Sequence, residues 1–82
     1  MKFIANSAII TTVDMYTINE RLGANIRKMR EDKGLLQKEF SKKVGLDPAY
    51  LSNIETGKMN PTVTTIEKIA ISLGVKVDEL MK

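Results

Sequence analysis

Residues Gln37 to Thr56 read QKEFSKKVGLDPAYLSNIET, and the rest of the chain is legible only once these twenty positions are placed. Phe40 and Val44 stand at i, i+4 and Leu51 and Ile54 at i, i+3, so each half carries one apolar stripe at helical spacing. The halves are too close in sequence to bury those stripes against anything but each other. Ser41 is small enough to let two helices approach beside it. Gly45 suits the positive φ that ends a helix, and Leu46 carries the chain into Asp47, an N-cap residue type. Pro48 then falls at the first helical position, where its missing N–H is not needed. The stretch predicts a helix, a tight turn and a second helix.

Outward from it, Thr17-Ile18-Asn19-Glu20 has the spacing of a capping box and predicts a helix beginning at Ile18. Ile18, Leu22, Ile26 and Met29 form its apolar face, and Gly34 ends it after Lys33 has put a cation at the negative end of the helix dipole. Arg21, Lys28, Glu31 and Asp32 occupy the opposite, solvated face, while Arg30 sits beside the apolar stripe. Downstream, Thr62 can cap a helix over 63–73 with Val63, Ile66, Ile69, Ala70 and Leu73 on one face. Gly74 stops that helix, and Val75 to Met81 predicts a short fifth one presenting Val77, Leu80 and Met81. The class is all-α.

Gln37, the small residue at Ser41, Gly45, the apolar set Phe40, Val44, Leu46, Leu51 and Ile54, then Tyr50-Leu51-Ser52, Ile54-Glu55, Gly57-Lys58, Asn60-Pro61 and Ile69-Ala70…Leu73-Gly74-Val75 together resemble the XRE family of phage-repressor and Cro-like helix-turn-helix proteins. The likeness runs from about Arg21 to Met81. It implies a five-helix, lambda-repressor-like domain over 17–82 that binds double-stranded DNA as a homodimer and regulates transcription, as a repressor or controller. Its operator would be two-fold related, with half-sites about one helical turn apart.

The resemblance places Pro48, Ala49 and Asn53 at base-reading positions, with Ser52 beside them. Pro48 can only pack and Ala49 can at most touch a thymine methyl, whereas Asn53 can bond adenine twice and Ser52 can donate or accept. Sequence preference should therefore lean on Asn53. The family's contacts to the DNA backbone map to Gln37 at the start of the second helix and to the loop Gly57-Lys58-Met59-Asn60-Pro61, with Lys58 foremost, Asn60 beside it and backbone N–H groups free at that helix end. Lys38 and the Tyr50 hydroxyl join that set; for Lys38, as for Lys42 and Lys43, plain solubilising charge is the other reading, and for Tyr50 it is a place at the edge of the core. The likeness also ties Arg30 to Glu55 as a structural ion pair, because a partly buried guanidinium requires a carboxylate. One departure stands out. The family commonly has Ser or Thr where this chain has Leu36, which cannot cap the second helix, a loss of about 0.5–2 kcal/mol.

With 82 residues there is room for one domain, burying roughly 60–65% of its unfolded surface at this size. The absence of Cys and His excludes disulfides, thiolate or imidazole metal sites, Cys nucleophiles and Ser-His relays. No cofactor and no enzymatic activity are expected. Thirteen Lys and Arg against ten Asp and Glu give a net charge of +3, a mild excess that permits nucleic-acid binding without proving it. No apolar run approaches the roughly 20 residues that span a bilayer, and MKFIANSAIITTV lacks a signal-peptide cleavage pattern, so a cytoplasmic protein with no membrane contact is expected. Residues 1–16 form an N-terminal extension with two open readings: their Ile and Thr content suits a strand that pairs with its copy in a dimer, or they are a disordered leader. They are also the unassigned surface for the alternative function, an antitoxin-type protein that binds a partner protein and autoregulates its promoter.

Overall fold

The computed structural model describes the backbone from residue 7 to 82 and the side chains from residue 18. Five helices follow in order: α1 (Ser7–Asp32), α2 (Gln37–Val44), α3 (Pro48–Glu55), α4 (Val63–Leu73) and α5 (Val77–Leu80). No strand occurs among the described residues. The helix boundaries follow from local chemistry. Gly45 takes φ 88° after α2, and the N–H groups of Gly45 and Leu46 both donate to Ser41 O, at 2.9 and 2.8 Å, closing the helix end. Asp47 caps α3 by accepting from Ala49 N at 3.0 Å and Tyr50 N at 3.3 Å. Thr62 caps α4 by accepting from Thr65 N at 3.2 Å, and Gly74 ends that helix at φ 72°.

Phe40 and Val44 of α2 meet Leu51 and Ile54 of α3, and the gap between them closes over Leu22 and Ile26 of α1, Ile69, Ala70 and Leu73 of α4, and Leu80 of α5. Every helix contributes to this single core, and α1 lies chiefly against α3. Burying each such Leu, Ile or Phe is worth about 1.5–3 kcal/mol, so the core and not helix propensity holds these short elements together. The four-residue α5 is an example: Leu80 is fully buried, and the Asn25 side-chain amide donates to Leu80 O at 2.8 Å.

Four expectations need correction. The helix predicted to begin at Ile18 already runs from Ser7, so the strand reading of 1–16 does not describe residues 7–16; residues 1–6 lie outside the described residues. Ile18 is 42% exposed, because the core contact of α1 begins a turn later at Leu22. Val63, placed on the buried stripe of α4, is 72% exposed: it is the first residue of its helix and precedes the turn that reaches the core. Val77 and Met81 are exposed too, which leaves Leu80 as the one residue of the predicted apolar trio that closes the core. No described helix is long and apolar enough to cross a membrane.

Candidate nucleic-acid interface

α3 is held from behind at both ends. Leu51 and Ile54 fix its middle in the core, Asp47 fixes its N-terminus, and Glu55 in its last turn is drawn into a buried network. Arg30 Nε donates to Glu55 Oε2 at 2.7 Å and Arg30 Nη2 to Glu55 Oε1 at 3.0 Å, a two-pronged pair between α1 and α3. Arg30 Nη1 reaches Leu35 O at 2.7 Å, and Gln37 Nε2 donates to the same Glu55 Oε1 at 3.0 Å. One carboxylate thus joins α1, the start of α2, and α3. The hydrogen bonds that Arg30 donates to Glu55 raise the Arg30 pKa above its ordinary value; burial opposes that, and the charges of Glu55 and Glu31 add to it. The guanidinium is therefore charged throughout the range in which the protein is handled, and the network does not titrate through arginine.

A close backbone contact adds to this alignment. A Cβ on Gly23 would overlap the carbonyl oxygen of Ile54 and lie 2.7 Å from that of Glu55, so α1 touches the end of α3 main chain to main chain. Gly57, the residue that turns the chain out of α3 at φ 79°, is buried against Glu20, where a Cβ would come within 2.8 Å of the Glu20 side chain and 3.0 Å of its Cα. Sequence reading passed over both packing contacts. A glycine in the middle of a helix costs about 1 kcal/mol relative to alanine, and that cost at Gly23 was the available signal.

What α3 turns outward is then fixed. Pro48 and Ala49 are exposed, Ser52 and Asn53 half-buried at the rim, and Tyr50 half-buried against the core edge. The Asn53 carboxamide makes no hydrogen bond among the described residues, whereas its backbone oxygen accepts from Lys58 N at 2.9 Å, Met59 N at 3.2 Å and Thr56 Oγ1 at 3.3 Å. Those bonds correct the expectation of free N–H groups for three residues of the loop after α3, since Gly57 N is also taken, by Ile54 O at 3.1 Å, while Asn60 N has no acceptor among the described residues. The loop is a closed helix end that presents Lys58, Met59 and Asn60 to solvent over a buried Pro61.

At the start of α2, Leu36 supplies no side-chain cap, but Glu39 accepts from Leu36 N at 2.9 Å. The backbone N–H groups of Gln37, Lys38 and Glu39 have no acceptor among the described residues. Gln37 donates one of its two side-chain N–H groups to Glu55, so its backbone N–H and its second amide N–H are the donors left for an external acceptor.

On α1, Arg27 pairs with Glu31 at 3.2 Å and Lys28 with Asp32 at 3.3 Å. Lys38, Lys42 and Lys43 of α2 and Lys58 of the loop are exposed with no ion pair among the described residues. Arg21, Lys33, Lys68, Lys76 and Lys82 are likewise exposed with no ion pair among the described residues, so the positive excess is not confined to one face. No group of His, Cys, Asp and Glu able to hold a metal ion occurs among the described residues.

The helix-turn-helix family model HTH_3 matches residues 26–80, the stretch that holds α2, the turn at Gly45 and α3. The chain belongs to the XRE-type helix-turn-helix family. It is 42% identical over 60 residues to the uncharacterized HTH-type transcriptional regulator y4dJ of Sinorhizobium fredii, covering 73% of this chain and 78% of that one. It is 39% identical over 67 residues to the control protein C.MunI of Mycoplasma, covering 80% and 90%. Among solved structures, that of SinR, the master regulator for biofilm formation, in complex with DNA superposes with a TM-score of 0.71 at 34% identity, covering 74% of this chain and 98% of SinR.

Proposed function

We propose that this protein is a sequence-specific double-stranded DNA-binding transcription regulator, acting as a homodimer on a two-fold-related operator. The observation that carries this reading is the construction of α3: Leu51, Ile54 and Glu55 are locked from behind while Pro48, Ala49, Ser52 and Asn53 stay open on one face. Family membership and the likeness to the DNA-bound SinR structure support the same reading.

In this reading α3 enters the major groove. Asn53 bonds an adenine through its carboxamide, Ser52 bonds an adjacent base edge, and Pro48 and Ala49 pack on thymine methyls. Lys38, Lys58, Asn60, the Tyr50 hydroxyl and the backbone N–H of Gln37 hold phosphates on either side. Regulation is by occupancy: the bound dimer blocks or recruits polymerase according to where its site lies. Exposed Ile71 and Val77, which line a groove of about 440 Å³ with Ala70 and Val75, support a joint between two copies at the C-terminal end.

The test is selection of binding sites from random duplex DNA with the full chain at fixed salt. The expected result is an enriched site with two-fold symmetry and half-sites about one helical turn apart. Failure to enrich any sequence over bulk DNA would remove the operator-binding reading and favour a partner-binding role of the antitoxin kind.

A further inference from the structure

Three kinds of contact set the place of α3 against α1, and they act on different coordinates. Leu51 and Ile54 fix how deep the helix sits, through apolar packing that has no direction of its own. The missing Cβ of Gly23 fixes how near α1 comes to the end of α3. Both leave a helix of eight residues some rotation about its axis. Glu55 removes it. Its carboxylate is gripped by the Arg30 fork, Nε to Oε2 at 2.7 Å and Nη2 to Oε1 at 3.0 Å, and Nη1 of the same guanidinium is held by Leu35 O at 2.7 Å. Two parallel bonds between planar groups define an orientation as well as a distance.

Asn53 stands two residues before Glu55, about 200° around the helix at roughly 100° per residue, so the grip lies opposite the reading side chain. A rotation of one is a rotation of the other. Side-chain tips lie roughly 5–6 Å from a helix axis, so a turn of about 10° displaces one by about 1 Å, enough to loosen a binding site. Stability alone does not call for ions here. The side chain of Arg30 is 8% exposed and that of Glu55 2%, so both charges have given up most of their water, and an apolar pair of similar volume commonly serves a fold as well or better. What an apolar pair lacks is direction. Resting on the operator-binding function proposed above, we infer that Arg30 and Glu55 are positioning residues for base recognition: their buried fork sets the rotation of α3 and with it the register of Asn53 and Ser52 in the groove.

Two variants remove the fork in different ways. Arg30→Met combined with Glu55→Met removes both charges together, so that neither is left buried without a partner. Gln37 and Leu35, which also lose a partner, are half-buried and can turn to water. Arg30→Lys keeps the charge and loses the two-pronged geometry. Affinity is measured with the full chain at fixed salt, on the site that the wild type selects and on random duplex. Both variants should bind random duplex with the affinity and salt slope of the wild type, and should prefer the selected site about tenfold less, within what one base contact contributes. Ile69→Val, which trims one buried methyl on α4, controls for lost stability and should keep the full preference.

The ways of failing are distinct. If the wild type selects a symmetric site and the fork variants keep its full preference, the pair is a structural link only, and the inference is wrong while the operator reading stands. A fall in preference for Ile69→Val as large as that for the fork variants would tie it to stability and not to rotation, which also overturns the inference. Should the double variant fail to fold, Arg30→Lys decides alone by the same preference. If the wild type selects nothing, the operator reading fails first and this inference falls with it.

Discussion

At the scale of single residues, the alignment of α1 with α3 depends on an atom that is absent. Gly23 lies in the middle of α1, where alanine would ordinarily gain about 1 kcal/mol of helix propensity, yet its missing Cβ leaves room for the carbonyl oxygens of Ile54 and Glu55. Those are main-chain atoms of a helix end and cannot rotate aside. Gly23→Ala is therefore expected to destabilise the fold by about 2–3 kcal/mol, in the range of core overpacking, and urea unfolding would measure it; a gain in stability would show that α1 can back away from α3 at no cost. Asn53 is the opposite case, a side chain with nothing to do inside the molecule. Asn53→Ala should leave stability within about 0.5 kcal/mol, as surface changes do. It should flatten discrimination among DNA sites while non-specific binding stays as it was. A uniform loss of affinity on all sequences, read by competition against random duplex, would assign Asn53 to the backbone.

At the scale of the element, what was legible in the sequence is what local chemistry sets. The turn at Gly45, the cap at Asp47 and the stripes Phe40–Val44 and Leu51–Ile54 need only a few neighbouring residues to act, and all lie where the spacing put them. What was not legible depends on elements far apart in the chain. Ile18 and Val63 obey helical spacing but sit outside the reach of the core, and periodicity gives the face of a helix, not the length of it that meets a partner. The Gln37–Glu55 bond is of the same kind: Gln37 is recognisable as the first residue of the motif, but that its amide turns inward to Glu55 follows only from the packing of α2 on α3.

The start of α2 has a local weakness that the structure leaves in place, since Leu36 is 67% exposed and Glu39 serves only the Leu36 N–H, leaving the next three donors without acceptors. Leu36→Ser gives up little apolar burial and adds an oxygen for the second or third turn donor. It should stabilise the protein by about 0.5–2 kcal/mol, read as a higher urea midpoint at unchanged slope. If stability falls instead, Leu36 contributes packing that its exposure conceals. DNA affinity tests a further point. An N-cap serine takes the N–H of Lys38 or Glu39 and leaves that of Gln37, the proposed phosphate donor, so affinity for all sequences should stay unchanged as stability rises.

At the scale of the whole molecule, one α3 with Asn53 and Ser52 as its proposed hydrogen-bonding readers cannot supply much discrimination. At about 1–3 kcal/mol per good base contact, a single half-site falls short of the 4–10 kcal/mol by which specific complexes usually exceed non-specific ones. Two copies on one operator double the contacts and make the second docking intramolecular, so dimerisation is what would turn a weak reader into an operator binder. The C-terminal end offers the surface for it. Ile71 is 78% exposed on α4 and lines the groove with Val75 and Val77, flanked by Glu67 and Lys76, whose opposite charges can meet across a two-fold axis. Because Ile71 takes no part in the core cluster, replacing it by aspartate should not unfold the chain. Ile71→Asp is expected to keep its melting temperature within a few degrees, a shift of less than about 1 kcal/mol, and to sediment as a monomer at concentrations where the wild type is a dimer. Affinity for the full operator should fall by an order of magnitude or more, while that for an isolated half-site stays unchanged. If the variant remains dimeric and binds the operator as before, the two copies meet elsewhere, and the exposed groove is not their joint.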